Sequence, residues 1–218
     1  MMLSAHHLAN LLERGQATEE NDPFVVVPCP DLNSLRNSSN ASVDLRLGNW
    51  FLTLRDNRVS ELSASNPEAE WQEARLSKAH YVGFGDRFVL QPGGFALAAT
   101  LEWIRLPANC GAYVVGRSGW GRAGLIIATA VGVHPHFSGC LTLELSNVGS
   151  IPIGLHPGAA VCQIFVHHVS SEAQENATEK KSKFSGSRRP KLGKIQLDSV
   201  ADHLVHRHDR QTPLPGIT

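Results

Sequence analysis

The sequence predicts an all-β fold, a barrel or sandwich of short strands, and three observations carry that expectation. From Asp86 onward, apolar and polar residues alternate in short runs, and Gly or Pro interrupts nearly every one. About ten such runs follow one another, too many and too short for alternating β-α units. Helical periodicity is confined to one stretch near each end.

The elements follow in order. Ser4 can cap a short helix whose Leu8, Leu11 and Leu12 share one face, with Gly15 suited to its end. Between Asp22 and Asn40, Pro and Asn/Ser clusters frame one strand, Phe24 to Val27. Val43, Leu45 and Leu47 alternate with Ser42, Asp44 and Arg46 as a half-buried strand, and Trp50–Leu54 forms another after a turn at Gly48-Asn49. Arg58–His80 reads as a polar surface excursion. Phe88–Leu90, a turn over residues 91–94 and Phe95–Arg105 read as a hairpin. Gly111–Gly116, Leu125–Thr129, Cys140–Leu145, Ile151–Leu155 and Ala160–His167 are further strands. Ser171–Lys183 is charged and apolar-poor, a linker by composition. LDSVADHLVHRH suits one short amphipathic helix.

Composition narrows the function. At 218 residues, 42% hydrophobic and 18% charged, the chain is an ordinary globular protein, one domain or one domain with appendages. Lys+Arg and Asp+Glu are both 20, so it lacks the basic excess of a nucleic-acid binder. Small anionic ligands need only a few local cations. Cys29, Cys110, Cys140 and Cys162 include no CxxC pair and read as buried thiols. No signal peptide and no long apolar span is visible, so the expectation is a cytoplasmic protein that engages no membrane.

The chemistry-bearing residues concentrate between Gly116 and Asn147. Arg117 offers a donor fork suited to phosphate, Ser118 adds a hydroxyl, and Gly119 lets a ligand approach the backbone. Taken alone, this tripeptide is also an ordinary tight turn. In Leu141–Leu145 the alternation puts Thr142 and Glu144 on the face opposite the leucines. Glu144 is then either a solvent-facing carboxylate or, in a low-dielectric pocket, a general base and acid. His134 and His136 lack nearby metal partners in sequence and read as turn residues. The zinc-deaminase signature, H-x-E followed by P-C-x-x-C, is absent.

Longer stretches resemble a known family. ASVDLRLGNWF at 41–51, LQPGGFALAATLEWIRLPANCGAYVVGRSGWGRAGL at 90–125 and HPHFSGCLTLELSNVGSIPIGLHPGAAVCQIF at 134–165 are similar to the dCTP deaminases of the trimeric dUTPase-like superfamily. SKFSGSRRPKLGKI at 182–195 is similar to their closing segment. The resemblance implies a distorted jelly-roll β-barrel over residues 1–168. A linker and nucleotide-closing segment would follow over 169–195, and a polar extension over 196–218. It further implies a homotrimer with sites between subunits and zinc-independent hydrolysis of dCTP to dUTP and ammonia. Mg2+ would arrive on the triphosphate, and dTTP is a candidate inhibitor.

By position the resemblance makes Glu144 the acid/base, with Ser118 and Arg122 ordering water and supporting the phosphates. Arg117, Gly119, Gln163 and Lys183 match nucleotide contacts, and the backbone of Thr142, Leu143 and Glu144 would read the base. The chain departs from the family pattern at four places. His134 stands where an aspartate contacts the sugar, Gly119 where a second serine is common, and Ser187 where a glutamine meets the nucleotide. The strand after Leu125 is one residue short. These departures motivate two alternatives: a catalytically altered nucleotide sensor, and a bifunctional deaminase–diphosphatase that yields dUMP.

Overall fold

A computed structural model of the chain describes residues 1–17, 21–55, 73–127, 131–170, 186–193 and 197–205. Its elements are α1 (Ala5–Gln16), β1 (Val25–Val27), α2 (Leu32–Arg36), β2 (Val43–Leu54), α3 (Glu73–Leu76), β3 (Ser77–Tyr81), β4 (Phe88–Leu90), β5 (Phe95–Arg105), β6 (Cys110–Gly116), α4 (Ser118–Arg122), β7 (Leu125–Ile127), β8 (Gly132–Val133), β9 (Ser138–Asn147), β10 (Ile153–Leu155), β11 (Ala160–His168) and α5 (Ser199–Val205). The fold is all-β, as its alternating runs require.

The chain divides into two compact units, Met1–Thr53 with Ala79–Lys191, and Leu54–Lys78 with Leu192–Thr218. In the first, an antiparallel sheet runs β7–β9–β5–β2–β11–β6–β8, with β1 added to β5, while β10 and β4 form a separate pair. Its inward face is fully buried and apolar, including Leu45, Leu47, Phe51, Leu143, Leu145 and Ile164. Residues 44 and 46 on β2 and 142, 144 and 146 on β9 take the opposite parity and face outward. In the second unit, Arg55 donates from its backbone to Leu76 O at 2.8 Å and from Nε to Ser77 O at 2.6 Å. Asp198 caps α5 by accepting from Val200 N and Ala201 N. No helix among the described residues is long and apolar enough to cross a membrane.

Four expectations change. Residues 43–54 are one strand rather than two: at Gly48 the register shifts, because an added Cβ would lie 3.1 Å from Ala99 O on β5. Gly15 lies inside α1 rather than ending it, at a position where a Cβ would collide with Phe24 O. Arg117-Ser118-Gly119 opens a short helix instead of a tight turn. Residues 88–105 are not a hairpin, since β4 pairs with β10 while β5 pairs with β2 and β9. The helices α2 and α3 fall within segments read as loop and surface excursion. The linker at 171–183 lies outside the described residues.

Asn147 explains the failed hairpin. It is fully buried, and its amide donates to Leu90 O at 3.0 Å and Ile151 O at 2.9 Å while accepting from Gly149 N at 3.0 Å. Its backbone bonds both Gly93 and Gly94. Those bonds turn residues 91–94 toward the end of β9. A second buried polar group, Glu102 (2% exposed), accepts from Arg46 Nε at 2.6 Å and Arg46 N at 2.7 Å, bracing β2 against the irregular stretch of β5.

Asn147→Ala should remove one buried side-chain hydrogen bond, costing about 1–3 kcal/mol, and two part-buried ones, costing about 1 kcal/mol each. We expect a loss of more than about 3 kcal/mol, and a chain this size should lose about 2–4 °C of Tm for each. Calorimetry showing an unchanged Tm would contradict that role.

Candidate functional site

Glu144 sits where period-2 alternation placed it. Leu143 and Leu145 are fully buried and Leu141 nearly so, whereas Thr142, Glu144 and Ser146 are half-buried on the outer face. The Glu144 carboxylate has no hydrogen bond or ion pair among the described residues, and burial raises its pKa from the ordinary 4.5. Its face is partly apolar. Leu97 lies directly across from it, and Phe95 and Ile126, each in register with Ser146, are 43% and 45% exposed. A carboxylate with little water and no cation nearby binds its proton more tightly.

The backbone beside Glu144 has its own geometry. On the β9 edge away from β5, β7 pairs with Leu145–Asn147. At the other end, Gly186 N donates to Ser138 O at 2.6 Å and Cys140 N to Ser187 O at 2.9 Å. In an antiparallel ladder, alternate residues direct N–H and C=O to the same edge, so Thr142 and Glu144 face the gap between these partners. Among the described residues no strand fills it. Leu143 contributes only to the buried side.

A second cluster forms on the outer face of β2 and β11. Arg117 N bonds Val161 O, and Trp120 Nε1 bonds Ala160 O, both at 2.9 Å, fastening α4 to the start of β11. The Arg117 guanidinium turns back onto Asp44, Nη1 to Oδ2 at 3.0 Å, with both side chains about half exposed. Gln163 stands directly across from Asp44, and accepts from Ser42 Oγ at 3.0 Å. Asp44 thus brings Arg117 and Gln163 side by side. Ser118, Gly119 and Arg122 are exposed on α4 and open toward solvent.

The clusters do not merge within one chain. β9 and β11 are separated by β5 and β2, and the registers put Glu144 level with Leu52 but Gln163 level with Asp44, so the two are far apart both across the sheet and along it. Neither Ser118 nor Arg122 bonds Glu144. His134 is exposed at the head of a turn, where its carbonyl accepts from Phe137 N at 3.2 Å and His136 takes φ 62°. Ser187 is 8% exposed, and its hydroxyl donates to Arg189 O at 2.7 Å. Arg189 in turn lies 3.9 Å over the Trp50 ring. Lys183 falls outside the described residues.

Sequence reading passed over Ser42, Asp44 and Gly139. The first two share the outward parity of the strand, the signal that located Glu144. Gly139 has φ 151°, and a Cβ there would lie 3.2 Å from Gly186 N. Only the docked closing segment reveals the need for glycine.

Comparison with known proteins identifies the family of the chain. Residues 2–169 match the dCTP deaminase-like family. The chain is 36% identical over 200 residues to a Dictyoglomus thermophilum protein named dCTP deaminase, dUMP-forming, covering 91% of this chain and 96% of that one. It is 36% identical over 160 residues to the Natronomonas pharaonis dCTP deaminase, covering 72% and 80%. The crystal structure of 2'-deoxycytidine 5'-triphosphate deaminase from Agrobacterium tumefaciens superposes with TM-score 0.54 at 21% identity. That match covers 77% of this chain but 48% of the other, about half its length, and supports the shared fold.

The raised Glu144 pKa carries a stability consequence. The folded state prefers the protonated acid, so the side chain is most favourable below its unfolded pKa. That contribution is lost as pH rises through the folded value. Glu144→Gln should therefore match or exceed the native Tm at pH 7.5, and the difference should close below about pH 4. A variant less stable than the native chain at pH 7.5 would contradict the desolvated carboxylate.

Proposed function

This chain belongs to the dCTP deaminase-like family, and from that premise we propose that it hydrolyses dCTP to dUTP and ammonia without zinc. The observation that carries the reading is Glu144, a partly desolvated carboxylate with no hydrogen bond or ion pair among the described residues, on a strand edge that no described strand covers there. Cytosine presents O2 and N3 as acceptors and the 4-amino group as donor. Backbone N–H and C=O of Thr142 and Glu144 supply the complementary set. A pyrimidine paired there would bring C4 toward the carboxylate.

In the reaction, Glu144 takes a proton from water as the oxygen attacks C4, and returns that proton to N3. The tetrahedral adduct then passes its hydroxyl proton through Glu144 to the amine. The C4–N bond breaks, ammonia leaves, and C4=O remains. A carboxylate of raised pKa suits both directions of transfer. Ser118 and Arg122 are assigned to water and phosphate, Arg117, Gln163 and Lys183 to the triphosphate. Among the described residues no three His, Cys, Asp or Glu side chains converge as a metal site. Magnesium in this reading is held by phosphate oxygens and water.

The separation of the clusters favours assembly. With Glu144 on β9 and the cationic cluster three strands away, a symmetric homotrimer would join one chain's α4 to its neighbour's β9. Such closure would also cover Phe95 and Ile126.

A second reading, deamination followed by cleavage to dUMP and pyrophosphate, is favoured by the Dictyoglomus relative's name. His134, where related diphosphatases carry an aspartate, weighs against it.

Incubation with dCTP, CTP, dCMP and dUTP, each with magnesium, decides between them. Ammonia and dUTP from dCTP are expected; no uracil nucleotide from any substrate would sink the deaminase reading. Pyrophosphate from dUTP would establish the second. Glu144→Gln should bind nucleotide yet lose roughly 10²–10⁴-fold in rate. If His134 weakens sugar recognition, His134→Asp should favour dCTP over CTP; an unchanged preference would mean that the sugar is read elsewhere.

A further inference from the structure

We infer that Thr100 is a positioning residue that sets which way the peptide groups of β9 point beside Glu144; this rests on the deaminase reading above. β5 is irregular opposite that part of β9. Ala99 stands against Thr142 and Trp103 against Cys140, so residues 100–102 together face Leu141 alone. A bulge of this kind breaks the regular exchange of main-chain hydrogen bonds. Thr100, 2% exposed, bridges the break with its side chain. Its hydroxyl accepts from Leu141 N at 2.9 Å and donates to Glu102 O at 2.8 Å. Both partners are main-chain groups with one role each, an N–H that only donates and a carbonyl that only accepts. The direction of both bonds is therefore fixed.

The bulge is also held from its other side. β2 approaches so closely that a Cβ on Gly48 would lie 3.1 Å from Ala99 O and 3.2 Å from Thr100 O. The Glu102 carboxylate accepts from both Arg46 N and Arg46 Nε. Thr100 thus ties the Leu141 N–H to a braced support on the β5 edge. Neighbouring residues of an antiparallel strand direct their peptide groups to opposite edges. With Leu141 committed to β5, Cys140 and Thr142 face the other way, and Cys140 N does so by donating to Ser187 O at 2.9 Å. Glu144 repeats the phase of Thr142. The hydroxyl accordingly aligns the two residues whose backbone is assigned to the base, before any ligand arrives.

Thr100→Val removes the hydroxyl with little change in side-chain shape. Its kcat/KM for dCTP should fall roughly 10–100-fold, the scale of a reacting group misplaced by up to about 1 Å. Calorimetric binding of inorganic tripolyphosphate, which has no base, should stay native. Thr100→Ser should restore most of the loss. Leu12→Ala, a core truncation on α1 that also lowers Tm, should keep kcat/KM near native at a temperature where both variants are folded. Native kcat/KM in Thr100→Val, or dCTP and tripolyphosphate binding weakened alike, would overturn the inference while leaving deamination intact. Should Thr100→Val not fold, hydrogen exchange on the native chain decides. The Leu141 amide should exchange slowly in the free chain, and those of Thr142 and Glu144 should slow on adding dCTP but not tripolyphosphate. A fast Leu141 amide, or no response at 142 and 144, would overturn the inference. A native chain that deaminates no cytosine nucleotide would overturn the deaminase reading and the inference with it.

Discussion

The buried amide of Asn147 is the constraint on which the site depends. Three side-chain hydrogen bonds and two backbone bonds tie the end of β9 to Leu90, to the 91–94 turn and to the 149–151 loop. The next residue, Val148, bonds Gly124 O at 2.9 Å, and a Cβ on Gly124 would lie 2.8 Å from Gly149 N. The same knot therefore fixes where α4 ends and β7 begins. Glu144 stands three residues before the knot on one strand, and Arg122 three residues before Leu125, the partner of Asn147, on the other. A displaced Asn147 would move Glu144 and the helix that carries Arg122 together.

The outer face of the sheet shows a division of labour that the charges explain. Arg117 and Asp44 pair across half-exposed positions, where a surface ion pair contributes only about 0–1 kcal/mol. That is too little to matter for the fold. It is enough to hold a flexible guanidinium over β2 until a stronger anion competes for it. Arg46, on the same face, is committed more deeply, because its partner Glu102 is buried and also accepts from the Arg46 backbone. Along Ser42, Asp44 and Arg46, the first two side chains meet Gln163 and Arg117, and the third is tied to the buried Glu102.

Alternation was the most legible signal in the sequence. It located β9, put Glu144 outside and the leucines inside, and gave the all-β class, because period 2 is a local property of the chain. The hairpin at 88–105 was misread because the deciding bonds come from Asn147, more than forty residues away. Gly48 and Gly15 look like turn and terminus markers in sequence. In the structure they are places where another backbone passes too close for a Cβ. Ser42 and Asp44 were visible as outward residues, but their partners on β11 and α4 are fixed only by strand order. No rule of spacing supplies that order.

The closing segment sharpens what the sequence could only suggest. Ser187 is not held out as a free hydroxyl; it is buried against β9 and bonded to its own loop, and Arg189 rests on Trp50. An arginine over an indole gains about 0.5–1 kcal/mol at an exposed site, and two backbone bonds to β9 add to it. These contacts anchor the segment just C-terminal to Lys183. The left-handed Gly139 that permits the docking lies on the strand that carries Glu144. Glu144 and the docking point of residues 186–189 therefore share one strand.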